Sequence, residues 1–523
     1  MSAVTTSRRR ERAVAGTHDP VGLAEAAFVR ADYTGAKLIL RAVEARTAAQ
    51  RGSFALIEAR CARAEDDVEA LLAAAERAAN DHPDAAGKLE AVALRGVAHR
   101  LGNRTALADR DFDRVRQRLE REPDVASGLA THYLAHDAWT RGALDDAEAL
   151  LAINLGYGKT KASDTALLGW CALKRERFSK AGTYFIESLR LIRASETPDL
   201  RAAATTLYGA SIVASESVDL KLAKKLQREF AAMEWPASLA VYRFKTITAF
   251  RLIALLEGDL ERAWVLSRDA VSCAPNAAYA VTGETNAAVA SRLLGDERTA
   301  MLQLRRAWEI VRQQRLGAPD NEARLALANF AREAASDLPA EARKAMTMCD
   351  SLTPRENRTN ALTRDRHVLA FELMAQGRVA EVRGNYDAAY DRYRSSFDLW
   401  RESHYDMRAA LVALDLMRLA RDPIYDETLE AVLERAPSAW FAPQASPANE
   451  LLERITPAET LVLGALLGGK SARAIAEDLE RSVHTINNHT RKIFQAFGVT
   501  SRSAVLAQCA EFGITPKSLD RIS

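Results

Sequence analysis

The stretch SVHTINNHTRKIFQ, residues 482–495, carries Asn487, Asn488 and Arg491 with no acidic residue among them. An asparagine amide gives and takes hydrogen bonds in one plane, so it can pair bidentately with adenine, and a guanidinium can grip O6 and N7 of guanine. Such groups recognise; they do not make or break bonds. Ser482, Thr485, Lys492 and Arg502 add hydroxyl and cationic donors of the kind that hold phosphate oxygens, and a helix start nearby would add N–H groups. The chemistry implied is contact with double-stranded DNA.

Two other places invite a chemical reading. LGYGKTK, residues 155–161, ends like a phosphate-binding loop at Gly158, Lys159 and Thr160, but that motif needs a glycine five residues before Gly158, where Ile153 stands. It reads as a turn between helices. His132 and His136 have the i, i+4 spacing of metal ligands on one helix face, yet no HExxH pattern or carboxylate stands at motif spacing. No cofactor and no metal are expected, and the chain reads as a non-enzyme.

The residues of the first stretch need elements to hold them. Thr456 with Glu459 three residues on makes a capping box, and Pro457 takes the first helical position, so a helix starts there and ends at Gly468-Gly469. Its apolar side is read as Leu461, Val462, Leu466 and Leu467. A short helix follows with Ile475, Ala476 and Leu479 inward. Ser482 then caps a third helix to about Phe497, whose buried stripe is Ile486, Thr490, Ile493 and Phe497. The opposite face carries His484, Asn487, Asn488 and Arg491.

Residues 455 to 513 resemble the helix-turn-helix domain of the LuxR/GerE family of bacterial transcription regulators. The matching residues are Thr456-Pro457, Glu459, Leu463, Gly469, Ser471, Ile475-Ala476, Leu479, Ser482, Thr485-Ile486, His489, Ile493, Gly498-Val499 and Ser501-Arg502. The resemblance implies a four-helix unit whose third helix enters the major groove, with base reading at Asn487, Asn488 and Arg491. It implies a fourth helix, about Ser503 to Phe512, that often supplies a dimer contact. Asn487 stands where family members commonly carry lysine, and Arg481 where they usually carry an aliphatic residue.

The rest of the chain reads as repeats. A length of 523 residues exceeds one ordinary core, and a composition rich in Ala, Leu, Arg and Glu with 7% aromatics favours helix throughout, so the expected fold class is all-α. GRVAEVRGNYDAAYDRYRSSF places small residues at Gly377, Ala389 and Ser396 around a turn at Gly384. The same spacing recurs at Ala135, Ala147 and Asn154; at Gly169, Ala181 and Ser188; and at Ala288, Ala300 and Ala307. Another copy keeps Ala263 and Ala270 but has Arg251 first, weaker copies lie near Ala24, Gly96 and Ser211, and residues 310 to 365 fit poorly. Small residues let paired helices approach, and stacked hairpins bury one continuous core. This resembles the tetratricopeptide repeat family, which implies a superhelix whose concave face takes a protein, peptide or small ligand.

Charge and cysteine content exclude other classes. The 72 basic and 70 acidic residues nearly cancel, so any anion-binding surface is local. Cys61, Cys171, Cys273, Cys349 and Cys509 are scattered without a CxxC pair, which fits a reduced, cytoplasmic protein. No run approaches the roughly 18 apolar residues of a membrane span. Pro437, Pro443 and Pro447 mark a linker in which Trp440 and Phe441 are expected to pack on a neighbouring domain.

The domain reading is therefore a disordered basic tail at 1–19, a tetratricopeptide-like array at 20–435, a linker at 436–452 and a helix-turn-helix domain at 453–523. The expected function is a sequence-specific transcription regulator, an activator and homodimer that meets RNA polymerase and is controlled through its array. The alternatives are a nucleotide-dependent ATPase regulator with the same two ends, or a scaffold whose C-terminal fold contacts proteins.

Overall fold

A side chain on Gly169 would have nowhere to go. A Cβ there would stand 2.6 Å from the ring of Phe185, and one on Gly377 2.6 Å from the ring of Tyr393. Gly96 meets Phe112 in the same way at 3.2 Å. Each glycine lies on the first helix of a hairpin and each ring sixteen residues later on the second, so the ring lies flat against bare backbone. The computed structural model of the chain describes residues 19–126, 128–313, 316, 321–352, 366–420, 422–442, 451–452, 454–511, 514 and 519. Among these residues every regular element is helical, as the sequence predicts.

Ten helical hairpins follow one another from Pro20–Val29 to Tyr386–Glu402 among the described residues. The predicted small positions lie at their crossings: Ala135, Ala147, Asn154, Ala181, Ser188, Ala300 and Ala389 are all fully buried. The region that fits the repeat pattern poorly also forms a hairpin, Asn321–Ala334 with Pro339–Leu352. Its fully buried small residues Ala331, Ala342 and Cys349 are spaced eleven and seven apart instead of twelve and seven, which hides it from a fixed-spacing search. Residues 353–365, the predicted tail to residue 18 and Pro443 and Pro447 of the predicted linker lie outside the described residues.

The tight turns use left-handed backbone. Gly142, Gly258, Gly295 and Gly384 supply it at φ of 80°, 74°, 81° and 75°, but Ala31, Asp66, Asn103, Glu176, Val218 and His404 supply it without being glycine. That replacement is why several copies look weak in sequence. His404, at φ 54°, is exposed, so its side chain contributes little packing in return for the strain. His404→Gly is expected to raise stability by about 0.5–1 kcal/mol, the left-handed penalty less the extra chain entropy of glycine, read as a higher urea midpoint.

The array also makes contacts that are remote in sequence. Ser238 Oγ donates to the Ala31 carbonyl at 2.7 Å and Arg201 Nη1 to the Ala64 carbonyl at 2.6 Å. Around them Ala24, Ala27, Leu40 and Ile57 share one apolar cluster with Ala204 and Leu239. The first hairpins are therefore packed on the sixth and seventh.

LGYGKTK is a helix end, which overturns the ATPase alternative as a reading of this stretch. Gly158 ends Leu144–Tyr157 in left-handed conformation, Lys159 Nζ donates to the Asp124 carbonyl at 2.5 Å, and Thr160 Oγ1 donates to Asp164 at 2.7 Å. A phosphate-binding loop follows a strand and turns its lysine toward the ligand. Here the preceding element is a helix and the lysine is tied to backbone.

The chain divides into two compact units, residues 1–254 with 259–407, and residues 255–258 with 408–523. In the second, Phe441 is fully buried and the Trp440 N–H donates to the Leu255 carbonyl at 3.0 Å, so this segment is packed. No helix among the described residues is long and apolar enough to cross a membrane.

Candidate nucleic-acid interface

Four helices carry the candidate site: α1 (Pro457–Leu467), α2 (Ala472–Asp478), α3 (Val483–Ala496) and α4 (Arg502–Glu511). The capping box of α1 is formed, with the Thr456 hydroxyl accepting from the Glu459 N–H and the Glu459 carboxylate from the Thr456 N–H. Val462, Leu463, Leu466, Ile475, Ile486, Ile493, Phe497, Val505 and Cys509 share the core. Leu461, predicted inward, is instead 52% exposed; Leu463 takes the core position, because the inward stripe runs 462, 463, 466. Glu480 turns the chain between α2 and α3 at φ 52°, and the Arg481 N–H closes on the Ala476 carbonyl at 2.9 Å.

Ser482 caps α3, its Oγ accepting from the Thr485 N–H at 3.1 Å and lying 2.8 Å from the Thr485 hydroxyl. Burial of Ile486 and Ile493 fixes which way α3 faces. His484, Asn487, Asn488, Arg491, Lys492 and Gln495 are consequently exposed together, and α3 contains no carboxylate. Asn488 Nδ2 lies 3.3 Å from His484 Nε2, one turn earlier, which favours one orientation of the amide. Thr490 is half-buried and donates back to the Ile486 carbonyl at 2.8 Å. Arg502 is less available than its sequence suggests, because Nη2 donates to the Leu466 carbonyl at 3.0 Å and so satisfies the end of α1.

Glu459 links α1 to α3. Its side chain is 4% exposed, with Oε1 3.6 Å from His489 Nδ1 and 3.7 Å from Lys492 Nζ. Burial alone would raise its pKa, but the Thr456 N–H and hydroxyl, His489 and the Lys492 charge together hold it below the ordinary glutamate value. A depressed carboxylate contributes stability that is complete above its unfolded value and is lost as pH falls through its folded value. The protection of the α1 and α3 amides against hydrogen exchange in the full chain, taken relative to their intrinsic rate at each pH, is therefore expected to fall as pH drops below about 4.5, and Glu459→Gln to flatten that acid dependence.

Residues 453–508 match the family model described as bacterial regulatory proteins, luxR family. This segment is a LuxR-family helix-turn-helix domain. None of the curated proteins compared matches the chain. Among solved structures, the chain is similar to the crystal structure of the apo form of RapI, at 12% identity and a TM-score of 0.46, over 67% of this chain and 98% of that one.

Within the LuxR-type domain, two residues went unseen as site candidates in the sequence. Val483 is 42% exposed at the start of α3, where an apolar group could meet a thymine methyl. Glu459 was legible as a cap, but its second role depends on α3 crossing α1, and the sequence signal was only the i, i+3 pair of His489 and Lys492 facing one direction.

Proposed function

We propose that the chain is a sequence-specific DNA-binding transcription regulator in which α3 of the LuxR-type domain lies in the major groove. The observation that carries this is the exposed, carboxylate-free face of α3 bearing Asn487, Asn488 and Arg491. In this reading those three contact base edges, while Ser482, Thr485, Lys492 and the remaining donors of Arg502 hold phosphates.

Small helix-turn-helix units gain affinity by pairing on two half-sites, which supports a homodimer. The helical-repeat array is the sensing part: a protein, peptide or small ligand on its concave face alters how the DNA-binding domains are presented. The regulator acts in the cytoplasm as an activator that meets RNA polymerase once its signal is bound.

Genome-wide crosslinking of the tagged chain, beside an Asn488→Ala, Arg491→Ala double variant at equal abundance, tests the reading. Discrete promoter peaks that vanish in the variant are expected. Peaks unchanged by the variant would remove α3 as the reading helix.

A further inference from the structure

Two asparagine amides stand side by side on the exposed face of α3, and they are not held alike. Asn488 Nδ2 lies 3.3 Å from His484 Nε2, one turn earlier on the same helix. The Asn487 side chain has no hydrogen-bond partner among the described residues. His484, Asn487 and Asn488 are all exposed, so the histidine contact contributes nothing to the core. What it sets is the direction of one amide.

An amide nitrogen carries only donors, so Nε2 of His484 accepts and the ring proton sits on Nδ1. One N–H of Asn488 is taken by the imidazole. The other N–H and Oδ1 stay available as a donor and acceptor pair, which matches N7 and N6–H of adenine. No carboxylate on α3 draws the imidazole away.

Orientation decides what such an amide reads. Along the major groove an A·T pair presents N7 and then N6–H of adenine, and a T·A pair presents these two groups in the reverse order. An amide free to turn over can follow either order, whereas a held amide follows one.

We propose that His484 is a positioning residue, which makes Asn488 a strict reader of its base pair and leaves Asn487 a tolerant one. The inference rests on the reading of α3 as the base-contacting helix and adds which position of the DNA site is discriminated more sharply. Ordering one side chain on binding costs the equivalent of about 2- to 12-fold in affinity. Asn488 is spared that cost only on the base pair that suits its fixed orientation.

The test is selection of bound sequences from a randomised duplex library by the full-length chain, followed by fluorescence anisotropy on duplexes that differ at single base pairs. Asn488→Ala and Asn487→Ala each identify the base pair whose preference they abolish, and the Asn488 pair is expected to show the sharper preference. His484→Ala should reduce that preference about 2- to 12-fold and leave the pair read by Arg491 unaltered, with the circular dichroism of the chain unchanged. His484→Gln should restore it, because a glutamine four residues before an asparagine can accept from the same amide. In the Asn488→Ala background, His484→Ala should alter no preference. Equal sharpness at the two asparagine positions, or an Asn488 preference untouched by His484→Ala, would overturn the positioning role. So would a preference that His484→Ala changes in the Asn488→Ala background, since the imidazole would then be touching DNA itself. Asn488→Ala leaving every preference intact is a separate failure: it removes Asn488 as a base reader, and the role of His484 falls with it.

Discussion

Replacing Arg491 with alanine is expected to lower affinity for the chain's own promoter sites about 5- to 150-fold, corresponding to the roughly 1–3 kcal/mol of a bidentate guanine contact. The same substitution should barely alter binding to unrelated DNA. Arg491 lies exposed on α3, one turn beyond Asn487, and no carboxylate on that helix competes for it. Lys492 is expected to behave differently, because its ammonium stands 3.7 Å from the buried Glu459 carboxylate and is positioned at the side of the helix. Lys492→Ala should weaken all sequences alike and reduce the salt slope by about one unit. Fluorescence anisotropy against specific and scrambled duplexes, at several salt concentrations, separates the two patterns. Equal losses on both duplexes for both variants would mean that Arg491 is not reading a base.

Glu372→Ala is expected to destabilise the array by about 3–5 kcal/mol, because it strands a buried cation. Glu372 Oε1 accepts from Arg324 Nε at 2.8 Å and from the Cys349 thiol at 3.3 Å, and both charged side chains are 4% exposed. The carboxylate also raises the pKa of the Cys349 thiol beyond what burial does. Replacing both partners by apolar residues, Arg324→Met with Glu372→Leu, should recover most of the loss, since desolvation and attraction are then removed together. A urea midpoint as low in the double variant as in Glu372→Ala would show that the pair, and not the stranded charge, carries the stability.

The DNA-binding domain was legible almost residue by residue. Its helix starts are written in Thr456, Pro457, Glu459, Ser471 and Ser482, each of which acts within three residues of itself. The hairpins stood out most plainly where a glycine made the turn and read as weaker copies where Ala31, Asn103 or Val218 adopted the same backbone. The Gly169–Phe185 and Gly377–Tyr393 contacts have a fixed sixteen-residue separation that a search for small residues alone passes over.

A stack of hairpins in which each touches only its neighbours behaves as a one-dimensional chain: it frays from its ends, and a lesion is felt locally. The bonds from Ser238 to Ala31 and from Arg201 to Ala64 turn the first part of this chain into a closed circuit. Its opening hairpin is no longer a free end. Any signal that loosens the sixth or seventh repeat must also release the first, so a small local rearrangement becomes an all-or-none event shared by some two hundred residues.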